Sequence, residues 1–128
     1  MFENLDVFKI SHAMAKHAGQ RQAILAQNVA NADTPGYGAR DIASFKSTYS
    51  QADSPNLQRA TRSNHIHGVR QDGSVSSHEV KTMASPDGNT VSVETEIMKS
   101  TEAQRQHSRA LAIYKSSLNI LRSSLGRT

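Results

Sequence analysis

Small and apolar side chains recur along the first third of the chain at alternating four- and three-residue steps: Phe8, Ala15, Ala18, Leu25, Val29 and Ala32, with Ser11 and Gln22 on the intervening steps. This period predicts one helix over about residues 4–32. Its stripe is narrow and built largely of small residues, which suits close packing on another helix better than burial in a thick core. A second and stronger pattern runs from Val93 to Leu125, through Ile97, Ser100, Gln104, His107, Leu111, Tyr114, Leu118 and Leu121. The polar interruption at Ser100, Gln104 and His107 weakens the middle of that seam. Glu94 and Glu96 at its start and Arg122 and Arg127 near its end match the helix dipole.

Residues 41–89 are different. Their large apolar side chains are sparse and follow no period, too few for an independent core. Asp72-Gly73 and the stretch SPDGN supply turn signals. The expectation is a mainly α fold. Long N- and C-terminal helices pair as an antiparallel coiled coil, joined by a polar, partly disordered insert with at most a small β-hairpin. Residues 1–42 form the first helix and its exit, 43–85 the insert, and 86–128 a turn and the second helix.

The first helix must stop near Asp33, because Pro35 disfavours a helical Thr34. Thr34-Pro35-Gly36-Tyr37 suits a type II turn, with proline's fixed φ at the second position and glycine's positive φ at the third. Asn28 and Asn31 lie on the last turn, where their amides can bond free carbonyls or a neighbouring backbone. Tyr37 packs a ring and keeps a hydroxyl for hydrogen bonding.

Composition narrows the function classes. A hydrophobic fraction of 36% and a mean hydropathy of −0.58 argue against a large core. Cysteine is absent, which removes disulfides and thiolate chemistry. The amino terminus lacks the basic start, apolar middle and cleavage site of a secretory signal, and no stretch of about 20 apolar residues exists. The net charge of +4 is concentrated in the last third, where Lys99, Arg105, Arg109, Lys115, Arg122 and Arg127 are spread out with Tyr114 the only aromatic among them. That spread is unlike a nucleic-acid stripe. His65 and His67 have chelating spacing but no third ligand, so no metal site is expected. No paired carboxylates, nucleophile elbow or phosphate loop occurs, so neither catalytic residues nor a cofactor nor a small-molecule substrate is expected. The residues alone support an assembly or adaptor subunit.

At Asn28, Val29, Ala30, Asn31, Thr34, Gly36 and Tyr37 the sequence resembles the rod and hook family of flagellar axial proteins, whose signature is Asn-aliphatic-Ala-Asn-x-x-Thr-x-Gly-aromatic. The proximal-rod version reads ANADTPGY followed by AR, which Pro35, Ala39, Arg40 and Asp41 fit. The likeness returns at Asp87, Gly88, Asn89, Val91 and Glu96, the turn into the last helix, whose packing seam would hold Val93, Ile97, Leu111, Tyr114, Leu118 and Leu121. The resemblance implies a structural subunit, not an enzyme, whose terminal helices form a layer around an export channel and whose copies stack helically into a torque-transmitting hollow rod. It implies passage through the flagellar type III exporter without a cleaved signal, a final place in the periplasmic part of the basal body, and contacts through the motif's turn. The implied partners are further copies, other proximal rod proteins, the small adaptor beneath the rod, the membrane-embedded ring and the export gate. The competing expectation is a basic coiled-coil adaptor that binds nucleic acid or an anionic membrane surface.

Overall fold

Residues 2–52, 59–60, 69–70 and 75–126 are described by the computed structural model. Helix α1 spans Phe2–Ala30 and helix α3 spans Val93–Ser124, roughly 44 and 48 Å at 1.5 Å per residue. The first helix ends two residues before the expected position. There Asn31 N donates to both Gln27 O (3.2 Å) and Asn28 O (3.0 Å), and Ala32 N to Val29 O, tightening the chain out of α geometry. At the start of α3 the Glu94 side chain lies in the first turn, and Arg122 lies in the last.

The two helices are antiparallel. Phe8 meets Tyr114 edge-on with ring centroids 5.1 Å apart, Arg21 reaches Glu102, and Asn28 reaches Glu96. Later positions on α1 therefore meet earlier ones on α3. The buried line on α1 is Ser11, Ala18 and Leu25, joined by Asn28; that on α3 is Glu96, Ala103 and Ala110. Seven-residue spacing on both sides keeps one stripe against the other.

This line corrects the expected seam. It passes through Glu96, Ala103 and Ala110, one position before Ile97, Gln104 and Leu111. Val93, Ile97 and Leu111 are exposed, Tyr114 touches Phe8 but remains 40% exposed, and Leu118 and Leu121 are half-buried. On α1, Gln22 and Val29 face outward, and Arg21 and Asn28 hold the inner positions. The reason is steric. Alanine lets helix axes approach closely, whereas a hydropathy pattern follows the larger neighbour.

Between the helices, β1 (Arg40–Ile42) precedes α2 (Phe45–Ala52), a helix not expected from sequence. Ser44 caps it, accepting from Ser47 N on its hydroxyl and from Thr48 N on its carbonyl. His17 on α1 anchors it: Nε2 donates to Ala43 O at 2.8 Å, and the ring stands edge-on to Phe45. Short strands β2 (Arg59–Ala60) and β3 (Val69–Arg70) pair in parallel. β4 (Ser77–Glu79) pairs antiparallel with β1, Arg40 opposite Glu79 and Ile42 opposite Ser77. The small antiparallel sheet thus joins the two ends of the insert; the turn expected at Asp72-Gly73 lies outside the described residues. Among the described residues the buried apolar side chains are Ala18, Leu25, Ala39, Ile42, Ala103 and Ala110.

Three substitutions test this packing by thermal unfolding. Ala110→Leu should lower stability by about 1–3 kcal/mol by forcing the helices apart, while Leu111→Ala, one residue away, should change the isolated chain by only about 0.5 kcal/mol. Gly19 is exposed in mid-helix, with nothing within 4 Å of where a Cβ would stand; Gly19→Ala should raise stability by about 1 kcal/mol.

Candidate functional site

The residues at the exit of α1 and the entrance of α3 form one hydrogen-bonded clasp. Its centre is Asn28, wholly buried. The amide Nδ2 donates to Arg40 O (2.6 Å) and to Glu96 Oε2 (2.8 Å), and Oδ1 accepts from Arg40 N (3.1 Å) and Tyr37 OH (3.3 Å). Two donors and two acceptors are all that a carboxamide offers, and all are used. Asn28 binds both the N–H and the C=O of Arg40, as a neighbouring strand would, and so fixes where β1 begins.

Glu96, 2% exposed, is the other half. Its Oε1 accepts from Lys99 Nζ at 2.8 Å, so each carboxylate oxygen has a strong donor. Read from sequence as a first-turn acid serving the helix dipole, Glu96 instead faces inward and ties α3 to α1.

The turn itself has the expected geometry. Tyr37 N donates to Thr34 O (3.2 Å) and Gly36 has φ +71°, the type II arrangement that needs glycine at the third position. Gly36 N donates to Asp87 O at 3.0 Å, which brings the second turn onto the first. Asn89 completes the junction: its Nδ2 lies 2.8–3.0 Å from the carbonyls of Asn31, Ala32 and Thr34, and its Oδ1 accepts from Val91 N. One side chain thereby gathers three backbone carbonyls just past the helix end, its two N–H hydrogens shared among them. Thr90 adds two links, its N donating to Tyr37 O and its hydroxyl accepting from Ala39 N.

A bidentate ion pair braces the clasp from the α1 side. Arg21 Nε and Nη2 donate to Asp41 Oδ1 and Oδ2 at 3.1 and 3.2 Å, and Nη1 lies 3.6 Å from Glu102 on α3. Burial by itself raises the Asp41 pKa. The Arg21 hydrogen bond, the Ile42 N–H and the charges of Arg21 and Lys99 outweigh it and hold the carboxyl below the usual range. Arg21 is raised in turn, chiefly by the same hydrogen bond.

The structure therefore gathers Asn28, Asn31, Thr34, Gly36, Tyr37 and Arg40 with Asp87, Gly88 and Asn89. Arg40 takes part through its backbone; Ala30 and Pro35 are exposed and shape the chain without bonding in the clasp. Val93, Ile97 and Leu111 lie outside it. Sequence reasoning missed Arg21, Thr90, the pairing of Asp41 and the inward role of Glu96. Asp41 and Arg21 are twenty residues apart, and only the reversal of the chain at the turn brings them together. His65 and His67 fall outside the described residues.

The matches to known proteins fall on this region. Residues 15–37 match the family model described as flagella basal body rod protein. Over 23 residues the chain is 83% identical to the flagellar basal body rod protein FlgB of Salmonella typhimurium, and 78% identical to the proteins of that name from Escherichia coli K12 and Shigella flexneri. The matched stretch is 18% of this chain and 17% of each relative.

Asn28→Ala should cost about 3 kcal/mol, since it removes the donor to the buried Glu96 Oε2 and both bonds to the Arg40 backbone; chemical denaturation reads this directly. Asp41 predicts a pH dependence. Its folded pKa lies below the unfolded value of about 3.9, so its contribution is complete above that value and is lost as pH falls through the folded pKa. Melting temperatures of wild type and Asp41→Asn should differ at neutral pH and converge in that acid range.

Proposed function

We propose that the chain, which matches the flagellar basal-body rod family over residues 15–37, is a member of that family and a structural subunit of the proximal rod. The observation that carries this reading is where the family segment lies: it contains Asn28, Asn31 and the Thr34–Tyr37 turn, the residues that clasp the two helices together. In this reading residues 1–42 and 86–128 make the assembling layer, and 43–85 are an insert that the layer does not require. The described residues contain no helix long and apolar enough to cross a membrane. The chain's place is the periplasmic part of the basal body, reached through the flagellar exporter. Its neighbours are further copies, other proximal rod proteins, the adaptor beneath the rod, the membrane-embedded ring and the export gate.

Physical chemistry supports an assembling subunit over a self-contained domain. The seam between the helices is made of alanine, polar residues and Leu25, while Val93, Ile97, Leu111, Ile113 and Ile120 remain outside it, each at least 40% exposed. Large apolar side chains spread along a helix pair gain stability when neighbouring subunits cover them. The work of such a subunit is mechanical: many copies of one rigid helix pair, locked by the clasp, form a shaft around a channel.

Deleting the gene should abolish swimming and leave basal bodies without a rod; complete rods in the deletion strain would overturn the proposal. Circular dichroism should show more helix in the assembled protein than in the dilute chain, because exposed stripes gain order from neighbours. A β-branched residue resists the +71° φ at Gly36. Gly36→Val should accordingly still be exported yet fail to enter basal bodies; normal rods with valine there would remove the turn from the assembly surface.

A further inference from the structure

The last turn of α3 projects beyond its partner helix. Phe8 stands level with Tyr114, so in an antiparallel pair Phe2, where α1 begins, comes level with Ile120. Helix α3 continues past it to Ser124, and Leu125 follows. Apolar side chains gather at this end. Leu111, Leu118 and Leu125 recur every seven residues along one flank of the seam line through Ala110, and Ile113 and Ile120 do so along the other. Ile120 is 59% exposed and Leu125 83%, with Leu121 half-buried between the flanks.

The charge of this end is one-sided. Residues 1–18 and 103–128 hold seven Lys and Arg against two acids, Glu3 and Asp6, both on α1. Asp6 lies 3.6 Å from Lys9. From Ala103 onward the chain holds no acid at all. Lys115 and Arg122 each stand one turn after a leucine of the first flank, and Arg109 stands one turn before Ile113 on the second. All three are exposed, and none takes part in an ion pair among the described residues. Each aliphatic flank is therefore bordered by cations whose long stems carry the charge out past it.

We propose that this end of the helix pair binds the surface of an anionic lipid bilayer. Ile120, Leu121 and Leu125 enter just beneath the headgroups, and Arg109, Lys115 and Arg122 hold the headgroup phosphates. Charge complementarity selects an anionic surface, and the apolar arrangement selects lipid among the anions. Nucleic acid would leave Ile120 and Leu125 against phosphate and water. An acidic helix would cover one flank, whereas a bilayer receives a projecting tip from all sides. The contact is interfacial, since no described helix is long and apolar enough to cross a membrane. It is additional to the rod reading, whose neighbours are proteins. A packed neighbour and a bilayer compete for Ile113 and Ile120, so the lipid contact belongs to the chain outside a finished shaft. Val93, roughly 40 Å along the helix from Ile120, takes no part.

The test is flotation of the full chain with vesicles, either phosphatidylcholine alone or phosphatidylcholine mixed equally with phosphatidylglycerol. At low salt the wild type should float with the anionic vesicles and stay behind with the neutral ones. Lys115→Gln with Arg122→Gln should weaken binding roughly twenty-fivefold, about fivefold for each base. Ile120→Ser with Leu125→Ser should weaken it about tenfold. Lys81→Glu removes the same two units of charge from an exposed position at the clasp end and should bind as the wild type does. All five substituted residues are exposed, and circular dichroism checks that each variant keeps the wild-type helicity. Absence of flotation, equal flotation with neutral vesicles, an equal loss in Lys81→Glu, or undiminished binding by the Ile120 and Leu125 pair would overturn the proposal. Polyglutamate or duplex DNA bound as tightly as the anionic vesicles would overturn it too, because the end would then take any polyanion.

Discussion

A carboxamide and a carboxylate are buried together at one end of the helix pair, and the rest of the arrangement depends on their meeting. Leu25, Glu96 and Asn28 are the largest fully buried side chains described, and two of these three are polar and bonded to each other. A buried carboxylate is tolerated only where strong donors surround it. Asn28 supplies one and Lys99 the other. A slip of one residue between the helices would strand both groups, whereas an alanine-rich seam by itself would tolerate the slip at little cost. The polar contact thus specifies register, in the way a single polar core residue does in coiled coils.

The same contact organises the chain beyond the helices. Having used one amide hydrogen on Glu96, Asn28 uses its remaining capacity on Arg40 and Tyr37, which holds the returning backbone flat against α1. Asn89 does the converse from the other side, closing the end of α1 with a residue that belongs to the approach to α3. Each turn completes the other, and the sheet between β1 and β4 extends that mutual support by three residue pairs. Rigidity is therefore concentrated at one end of the helix pair.

What the pair does not do is hide its large apolar residues. Alanine at the seam brings the helices close and leaves little volume between them, so valine, isoleucine and leucine side chains one position away remain at the rim. A thin helical layer with a rigid polar clasp and uncovered aliphatic stripes suits repetition in an assembly.

The sequence by itself determined the two helices, their antiparallel return and the turn at Thr34–Tyr37; that Asn28 and Asn89 join the two helix ends within one chain was decided by the tertiary structure. These rest on local rules: periodicity, the steric demands of Pro35, and the positive φ available at Gly36. It pointed one residue away from the true seam, because periodic patterns weigh Ile97 and Leu111 above Ala103 and Ala110, and nothing local reveals how near two axes will come. It also missed α2, whose Ser44 cap and Phe45–Tyr49 spacing were available signals. Only the tertiary structure turned Glu96 inward and joined Arg21 to Asp41, since a charged side chain is buried or solvated according to what the rest of the chain brings to it.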